Sequence, residues 1–430
     1  MYMIVGYSKV IITPNKPMTM SGYDNRHKMA KDVHDDLYAR CLIIKINGDS
    51  VVMISLDLLG VDETLTNKIK DALINIDEKL TRKAIFVCAT HTHSGPSNLF
   101  LNRDGYNIEY VDDIVSKCKL AFLDAEDDLK KSAVFFGYRN ITGIGLKRNS
   151  PNIEKKNKYI KCYFLKIKRN GEDILLINFP CHMTVLDENN LYYSKDLIYG
   201  MELTFNDKGI NKFLFMNGAA GDISTRYYKK ESSFDEAERL GRSLAEQILD
   251  TDDEGLSEVY AEDIVAEEFA LLLKYREALT EDEKKARVDA LNKKLLLTDD
   301  YRQKRDIESS LMVLNRPNKK FEVIPDVIKL NGKYFKKIKI PLVIIGKLAY
   351  IGIPLEIYYS TGIKIQNIIN KKFGVNHTFI FGYCGGYGGY MPPTKEFNQM
   401  TYEVVACPFE RDSEDKLLEK LSEDRNEKMY

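Results

Sequence analysis

No stretch of this 430-residue chain approaches the roughly 20 consecutive apolar residues that cross a bilayer. The opening residues, MYMIVGYSKVIITP, have neither a basic leader nor a cleavable apolar core. These two absences lead to the expectation of a cytoplasmic protein without a transmembrane segment. Positive charge is not in excess: 63 Lys and Arg stand against 64 Asp and Glu, for a formal net charge of -1. The electrostatic footprint of a nucleic-acid binder is therefore missing, and no such partner is expected. Seven cysteines are scattered at 41, 88, 118, 162, 181, 384 and 407, with no Cys-x-x-Cys pair, which argues against a disulfide framework and a thiolate zinc knuckle. Repeats and low-complexity tracts are also lacking. Histidine is scarce, at six residues, so the place of each is informative.

What is present is organised around residues 84–97, AIFVCATHTHSGPS. Residues 84–89 form an uncharged apolar run that reads as a buried strand, and Gly95-Pro96 turns the chain after it. His91 and His93 then stand at a strand end. Positions two apart on a strand face the same way, so two imidazoles there suit one metal ion and its water. A hydrogen-bonded histidine pair in a turn is the plain alternative.

Along the chain, residues 3–5, 10–13, 39–46 and 51–56 read as strands, with Asp57 closing the last. Leu65, Ile69, Ala72, Leu73 and Ile76 recur at helical spacing behind Asp62, a suitable N-cap. This strand, helix, strand unit predicts parallel neighbours in one sheet, with Asp57 and His91 close together at their carboxyl ends. Val111, Ile114, Val115, Cys118, Ala121 and Phe122 make a second helical stripe. Strands are expected at 133–137, 159–168, 174–179 and 213–216. The third ends in Pro180-Cys181-His182, the fourth in Asn217-Gly218-Ala219-Ala220-Gly221-Asp222. Between the first two lies a glycine-containing loop, 143–151, with a basic tip. A helix follows over Ala237 to Ile248. Residues 265–315 are rich in Glu, Lys, Leu and Arg, lack Gly and Pro, and contain a capping box at Thr280 and Glu283. They read as a helical insertion, with solvated charged faces or a role as lid or dimer contact. Beyond it a hairpin turns at Gly346-Lys347 and runs into Pro354-Leu355-Glu356 and a helix. Residues 379–381 then lead to a glycine and tyrosine loop, 383–390, to Tyr402-Glu403 and to a charged terminal helix or tail.

Apolar strands thus end in His91 with His93, in His182, in Glu356 and, more loosely, in Asp57. Two histidines and a glutamate around zinc, with one position open to water, is a recurrent hydrolytic arrangement. The segment Ala89-Thr90-His91-Thr92-His93-Ser94-Gly95-Pro96 resembles the signature of the neutral, non-lysosomal ceramidases, zinc-dependent amidases. In the same order as in that family come Lys147-Arg148-Asn149, Asn178-Phe179-Pro180-Cys181-His182, Ala220-Gly221-Asp222-Ile223-Ser224, Pro354-Leu355-Glu356, and Gly389-Tyr390 followed by Tyr402-Glu403. The resemblance implies that His91, His182, Glu356 and Tyr390 are zinc ligands. It further implies that His93 moves protons near the metal, and that Arg148 and Tyr402 hold the substrate carbonyl or the developing oxyanion. Without it, Tyr390 reads as a packed ring and Arg148 as a surface cation. The chain departs from the family at Gly218, where a serine is expected, so a covalent serine mechanism does not transfer. It also resembles a short member without the C-terminal immunoglobulin-like domain.

The resulting expectation is one α/β catalytic domain over residues 1–430, with mixed β-sheets covered by helices and the helical insertion at 265–315. Its chemistry would be Zn2+-dependent hydrolysis of an amide-type bond in a small-molecule N-acyl substrate. Oligomeric state stays open. Three alternatives also stay open: a two-metal phosphoester hydrolase using Asp57 and Asp222, a non-catalytic metal-binding protein, and a thiol enzyme using Cys181 or Cys384.

Overall fold

Long aliphatic runs fix the centre of the molecule. Strands Tyr38–Ile46 and Asp49–Leu56 are buried almost throughout, as expected of strands covered on both faces. In the computed structural model, which describes residues 2–99, 107–148, 158–250, 255–260, 262–316 and 326–423, they sit in a nine-stranded sheet. Its order is Lys212–Asn217, Ile174–Phe179, Ile160–Arg169, Lys130–Ile141, Met3–Ile11, Tyr38–Ile46, Asp49–Leu56 and Ile85–Ala89, with Ser257–Val259 beside Lys130–Ile141. The outermost pair at each end is parallel and the strands between are antiparallel. The expected unit around helix Glu63–Ile74 is present, with Asp62 accepting from the Leu65 amide at its N-cap.

Counted with this sheet, four layers stack. Helices Glu63–Ile74 and Ile108–Asp127 cover one half of its outer face, and Leu197–Asp207 and Phe234–Leu249 the other. Its inner face packs Met53, Phe86, Leu176 and Met216 against Val343, Tyr350, Phe379 and Phe381 of a second sheet. That sheet runs Val265–Lys274, Lys333–Ile345, Leu348–Gly352 and His377–Phe381, with Val327–Leu330 beside Lys333–Ile345. Helices Tyr359–Phe373 and Ser413–Ser422 close its far side. The fold is α/β with mixed sheets, as expected from the sequence.

Two boundaries differ from the sequence reading. Residues 3–5 and 10–13 are not two strands; Met3–Ile11 is one, paired continuously with Tyr38–Ile46 from Ile4 to Ile11. The helical reading of 265–315 is corrected at its start: Val265–Lys274 is a strand paired along its whole length with Lys333–Ile345. Its Glu, Leu and Ala content suits a helix, but a partner far along the chain decides its conformation. Helices Glu281–Leu297 and Tyr301–Leu314 follow, the first with the expected capping box. The hairpin at Gly346-Lys347 forms, with Ile345 opposite Leu348 and Gly346 at φ +56°. Asn149, Ser150 and Pro151 of the basic loop, and the tail beyond residue 423, lie outside the described residues.

Candidate metal centre

The main sheet coils so that its two ends approach each other. Ser55 on one side donates to the Phe215 carbonyl on the other. Asn217 then ties the loops beyond the strands together. Its side-chain amide donates to the Thr90 carbonyl at 3.0 Å and to the Cys181 carbonyl at 2.9 Å, while its Oδ1 accepts from the Cys181 and Gly218 amides. In consequence the loops that carry His91 and His182 lie against one another. The second sheet contributes Glu356 beyond Leu348–Gly352 and Tyr390 beyond His377–Phe381. These two are register partners in the short parallel ladder of Glu356–Ile357 with Tyr390–Met391. The site occupies the crevice outside the carboxyl ends of parallel strands, where ligand sites of such sheets gather.

Each buried imidazole is oriented by its Nδ1. His91 Nδ1 lies 2.7 Å from the Leu59 carbonyl oxygen and His182 Nδ1 2.8 Å from that of Ala220. Nδ1 must donate in both contacts, which leaves each Nε2 as the ring nitrogen aimed into the site. Those two Nε2 atoms are 3.4 and 3.1 Å from Glu356 Oε2. Glu356 Oε1 accepts from the Tyr387 hydroxyl, whereas Oε2 is buried without a hydrogen-bond partner. The Tyr390 hydroxyl stands 3.0 Å from His182 Nε2. His93 Nε2 is 3.2 Å from His91 Nε2, and its Nδ1 is buried and unpartnered. Ligand atoms of His91, His93 and His182 all fall within 4.8 Å of one another, close enough to hold one metal ion. His91 adopts φ +68° and the Tyr383 ring stacked on it φ +54°, left-handed conformations that cost non-glycine residues on the order of 1 kcal/mol each.

Burial pushes the His182 imidazole down to about 3 and holds His93 well below its usual range, so both are neutral at neutral pH. Burial raises Glu356, but the adjoining His91 and His182 more than offset it and the carboxyl stays ionised. Arg148, the nearby cation, has its guanidinium 3.0 Å from Glu403 Oε1. A buried carboxylate with an idle oxygen, facing two imidazole nitrogens, is a donor set that fits a divalent cation. Burial and Glu356 push the Tyr390 phenol up, so it would coordinate as phenolate only with a cation beside it.

Arg148 is placed by the pairing of Leu146–Lys147 with Ile223–Ser224. Its amide donates to the Asp222 carbonyl at 2.8 Å, and its guanidinium reaches the Gly221 carbonyl and, at 3.3 Å, the Tyr390 hydroxyl. Tyr402 packs edge-on against Tyr390 with ring centroids 5.6 Å apart. Arg148, Tyr402, Tyr390 and His93 all line a cleft of about 800 Å³. All seven residues singled out from the sequence are thus gathered into one region. Gly221 allows that packing, because a Cβ there would lie 2.5 Å from the Glu356 carbonyl oxygen. Gly218 sits against Pro180, 2.9 Å from where its own Cβ would be.

Other sequence candidates are engaged elsewhere. The Asp57 loop does lie beside His91, whose amide donates to Leu58. Its carboxylate, however, turns to Arg40 at 2.7 Å and to the Tyr38 amide at 2.9 Å. Asp222 accepts from the Tyr359 amide at 2.8 Å, and burial raises its carboxyl to about 6. Cys181 and Cys384 are buried, and burial pushes the Cys181 thiol up, away from thiolate chemistry. Asn217, Tyr387, Tyr383 and Glu403 were not assigned roles from sequence. The tyrosines lie in the flagged 383–390 loop, but only the folded chain shows what they touch.

Residues 3–214 match the family model described as neutral/alkaline non-lysosomal ceramidase, N-terminal. Two curated relatives are Neutral ceramidase 2 and Neutral ceramidase 1 of Arabidopsis thaliana. The first is 26% identical over 172 residues, 36% of this chain, and the second 23% identical over 269 residues, 58% of this chain. The matched segments span only 23% and 33% of those relatives' own length. The crystal structure of neutral ceramidase from Pseudomonas aeruginosa superimposes with a TM-score of 0.78 at 17% identity, covering 98% of this chain and 73% of that one. The fold is thus shared along nearly the full chain, including the region of Glu356 and Tyr390 beyond the family match. By these matches, residues 3–214 are similar to the N-terminal part of the neutral/alkaline non-lysosomal ceramidases, and the chain shares its fold with one of them along 98% of its length.

Proposed function

We propose that this protein is a zinc-dependent hydrolase of an amide-type C–N bond, acting as one catalytic domain. In this reading His91, His182, Glu356 and Tyr390 hold the ion, and His93, Arg148 and Tyr402 serve the reaction. The observation that carries it is Glu356 Oε2, buried and unpartnered between two imidazole Nε2 atoms. When bound, zinc supplies Lewis acidity, which polarises a carbonyl and makes water acidic enough to react near neutral pH.

The remaining roles fall to side chains of this chain. His93 lines the cleft beside His91 and is kept neutral by burial. It is therefore able to accept a proton from the attacking water and return it to the leaving nitrogen. Arg148, held by Glu403 and the Gly221 carbonyl, keeps a fixed positive charge at the cleft floor, where an oxyanion would develop. Tyr402 supplies a phenol on the same wall. With glycine at 218, no hydroxyl stands there to attack, which favours water as the nucleophile. The family match over residues 3–214 supports the amide bond as the target.

Elemental analysis of the purified protein, paired with hydrolysis of a panel of N-acyl substrates, tests this reading. The expected result is one zinc per chain and turnover, both lost in His182→Ala. Zinc and full activity retained in that variant would overturn it.

A further inference from the structure

Helices Glu281–Leu297 and Tyr301–Leu314 pack on each other through a small apolar core. Leu291 and Ile307 are buried in it, and Leu295 and Leu311 lie against it. Leu296 and Leu297, in the last turn of the first helix, are left outside. They are 87% and 77% exposed, the highest values for large apolar side chains among the described residues. Tyr301, where the second helix starts, is 68% exposed. Single apolar residues are ordinary on a protein surface, but three within six positions at one turn form a patch.

The turn that presents them is held in place. Asp300 caps the second helix by accepting from the Arg302 amide at 2.9 Å, and the Thr298 hydroxyl donates to Gln303 Oε1 at 3.1 Å. Lys293 and Lys294 are exposed just ahead of the leucines and pair with no carboxylate among the described residues; Asp299 is the exposed acid of the turn. Bare leucines, an exposed tyrosine and neighbouring lysines suit the boundary between lipid headgroups and acyl chains. The leucines bury their methylenes there, the phenol sits at headgroup level and the ammonium groups meet lipid phosphates. A second copy of the chain fits less well, because three side chains fall far short of the roughly 800 Å² per partner of a stable dimer.

The same turn stands at the rim of the cleft. Asp300 and Tyr301 line it, as do His93, Tyr390 and Tyr402 at the metal centre. Leu297 is three residues from Asp300, so it lies within about 11 Å of that wall. Ion pairs of Arg226 with Asp306 and of Arg305 with Glu188 fix the second helix to the loops beside His182. A surface seated on residues 296–301 would therefore lie against the cleft mouth.

We propose that residues 293–301 dock on a lipid bilayer bearing anionic headgroups and bring the mouth of the cleft to the membrane surface. Docking stands on the exposed side chains alone. Its use, the admission of a membrane-borne amide to the metal centre, rests on the amide-hydrolase reading above.

The test sediments the full chain with vesicles of phosphatidylcholine, alone or with about one third phosphatidylserine. Binding should be at least about fivefold tighter on the anionic vesicles and should fall at least about tenfold in the double variant Leu296→Ser with Leu297→Ser. Lys293→Ala with Lys294→Ala should abolish the preference for phosphatidylserine. The chain has no tryptophan, so Leu296→Trp supplies a single reporter, whose emission should move to the blue on vesicles and be quenched by lipids brominated in their acyl chains. Equal binding of wild type and the double serine variant, emission unmoved by vesicles, or leucine-dependent dimers without vesicle binding would overturn the proposal. Turnover separates it from the hydrolase reading. The double serine variant should lose about tenfold on N-palmitoylsphingosine held in vesicles and keep its kcat/KM for detergent-dispersed N-acetylsphingosine. An equal loss on both amides would overturn the link between docking and the site. Leucine-dependent vesicle binding with turnover of neither amide would uphold the docking surface and defeat the hydrolase reading.

Discussion

Glu356 is a buried carboxylate with one oxygen facing two imidazoles and lacking a hydrogen-bond partner. Removing its charge while keeping its shape tests that directly. Glu356→Gln should weaken zinc binding by about 100-fold or more, read by competition with a chromophoric chelator. Asn217 is the structural counterpart, because its amide joins the loops that carry His91 and His182. Asn217→Ala leaves buried backbone groups unpaired and should cost about 2 to 4 kcal/mol, measured by urea denaturation, with a loss of zinc affinity. The histidines and Glu356 were legible in the sequence because each follows an apolar strand that stops abruptly. Asn217 also ends such a strand, yet its function depends on which carbonyls fold around it. Tyr387 was hidden for the same reason: its acceptor, Glu356, is brought to it by a different strand.

Helix Tyr301–Leu314 and its neighbour Glu281–Leu297 show how far composition reaches at the scale of an element. Their charge-rich, glycine-free sequence and the Thr280 capping box announced helices. The same composition misled at Val265–Lys274, where pairing with Lys333–Ile345 outweighs helical preference. Which charged face was turned to the solvent and which to the cleft was not readable at all. It emerges from Arg226–Asp306 and Glu188–Arg305, which tie the helix to the loops beside His182. These pairs are about a quarter exposed, so each one singly contributes modestly. The double variant Arg305→Ala with Asp306→Ala should therefore raise hydrogen exchange in Tyr301–Leu314 and leave the main-sheet amides unchanged. Thr280→Ala should cost about 1 kcal/mol, confined to exchange at the start of Glu281–Leu297.

The whole molecule depends on residues far apart in sequence meeting across sheets, and its acid stability reflects the same long-range contacts. Although burial raises the Glu202 carboxyl, the Arg40, Lys195 and Lys9 cations beside it bring it down to about 2 from an ordinary 4.5. A lowered folded pKa stabilises the native state above the unfolded value, and that contribution is lost as pH falls through the folded one. Glu202→Gln should then be about 2 to 3 kcal/mol less stable than wild type at pH 7, the gap closing as pH drops from 4.5 toward 2; denaturant titrations at several pH values measure it. Local units, such as the parallel pair around Glu63–Ile74, were readable from periodicity. The coiling that brings opposite ends of a nine-stranded sheet together was not, since no local pattern encodes it. The central claim, that this convergence builds a site for one cation, is tested most directly by elemental analysis of wild type beside His91→Ala, His182→Ala and Glu356→Gln. One zinc per wild-type chain, lost in each folded variant, is the expected result. Zinc retained at full stoichiometry in all three, or absent from folded wild type after zinc loading, would contradict it.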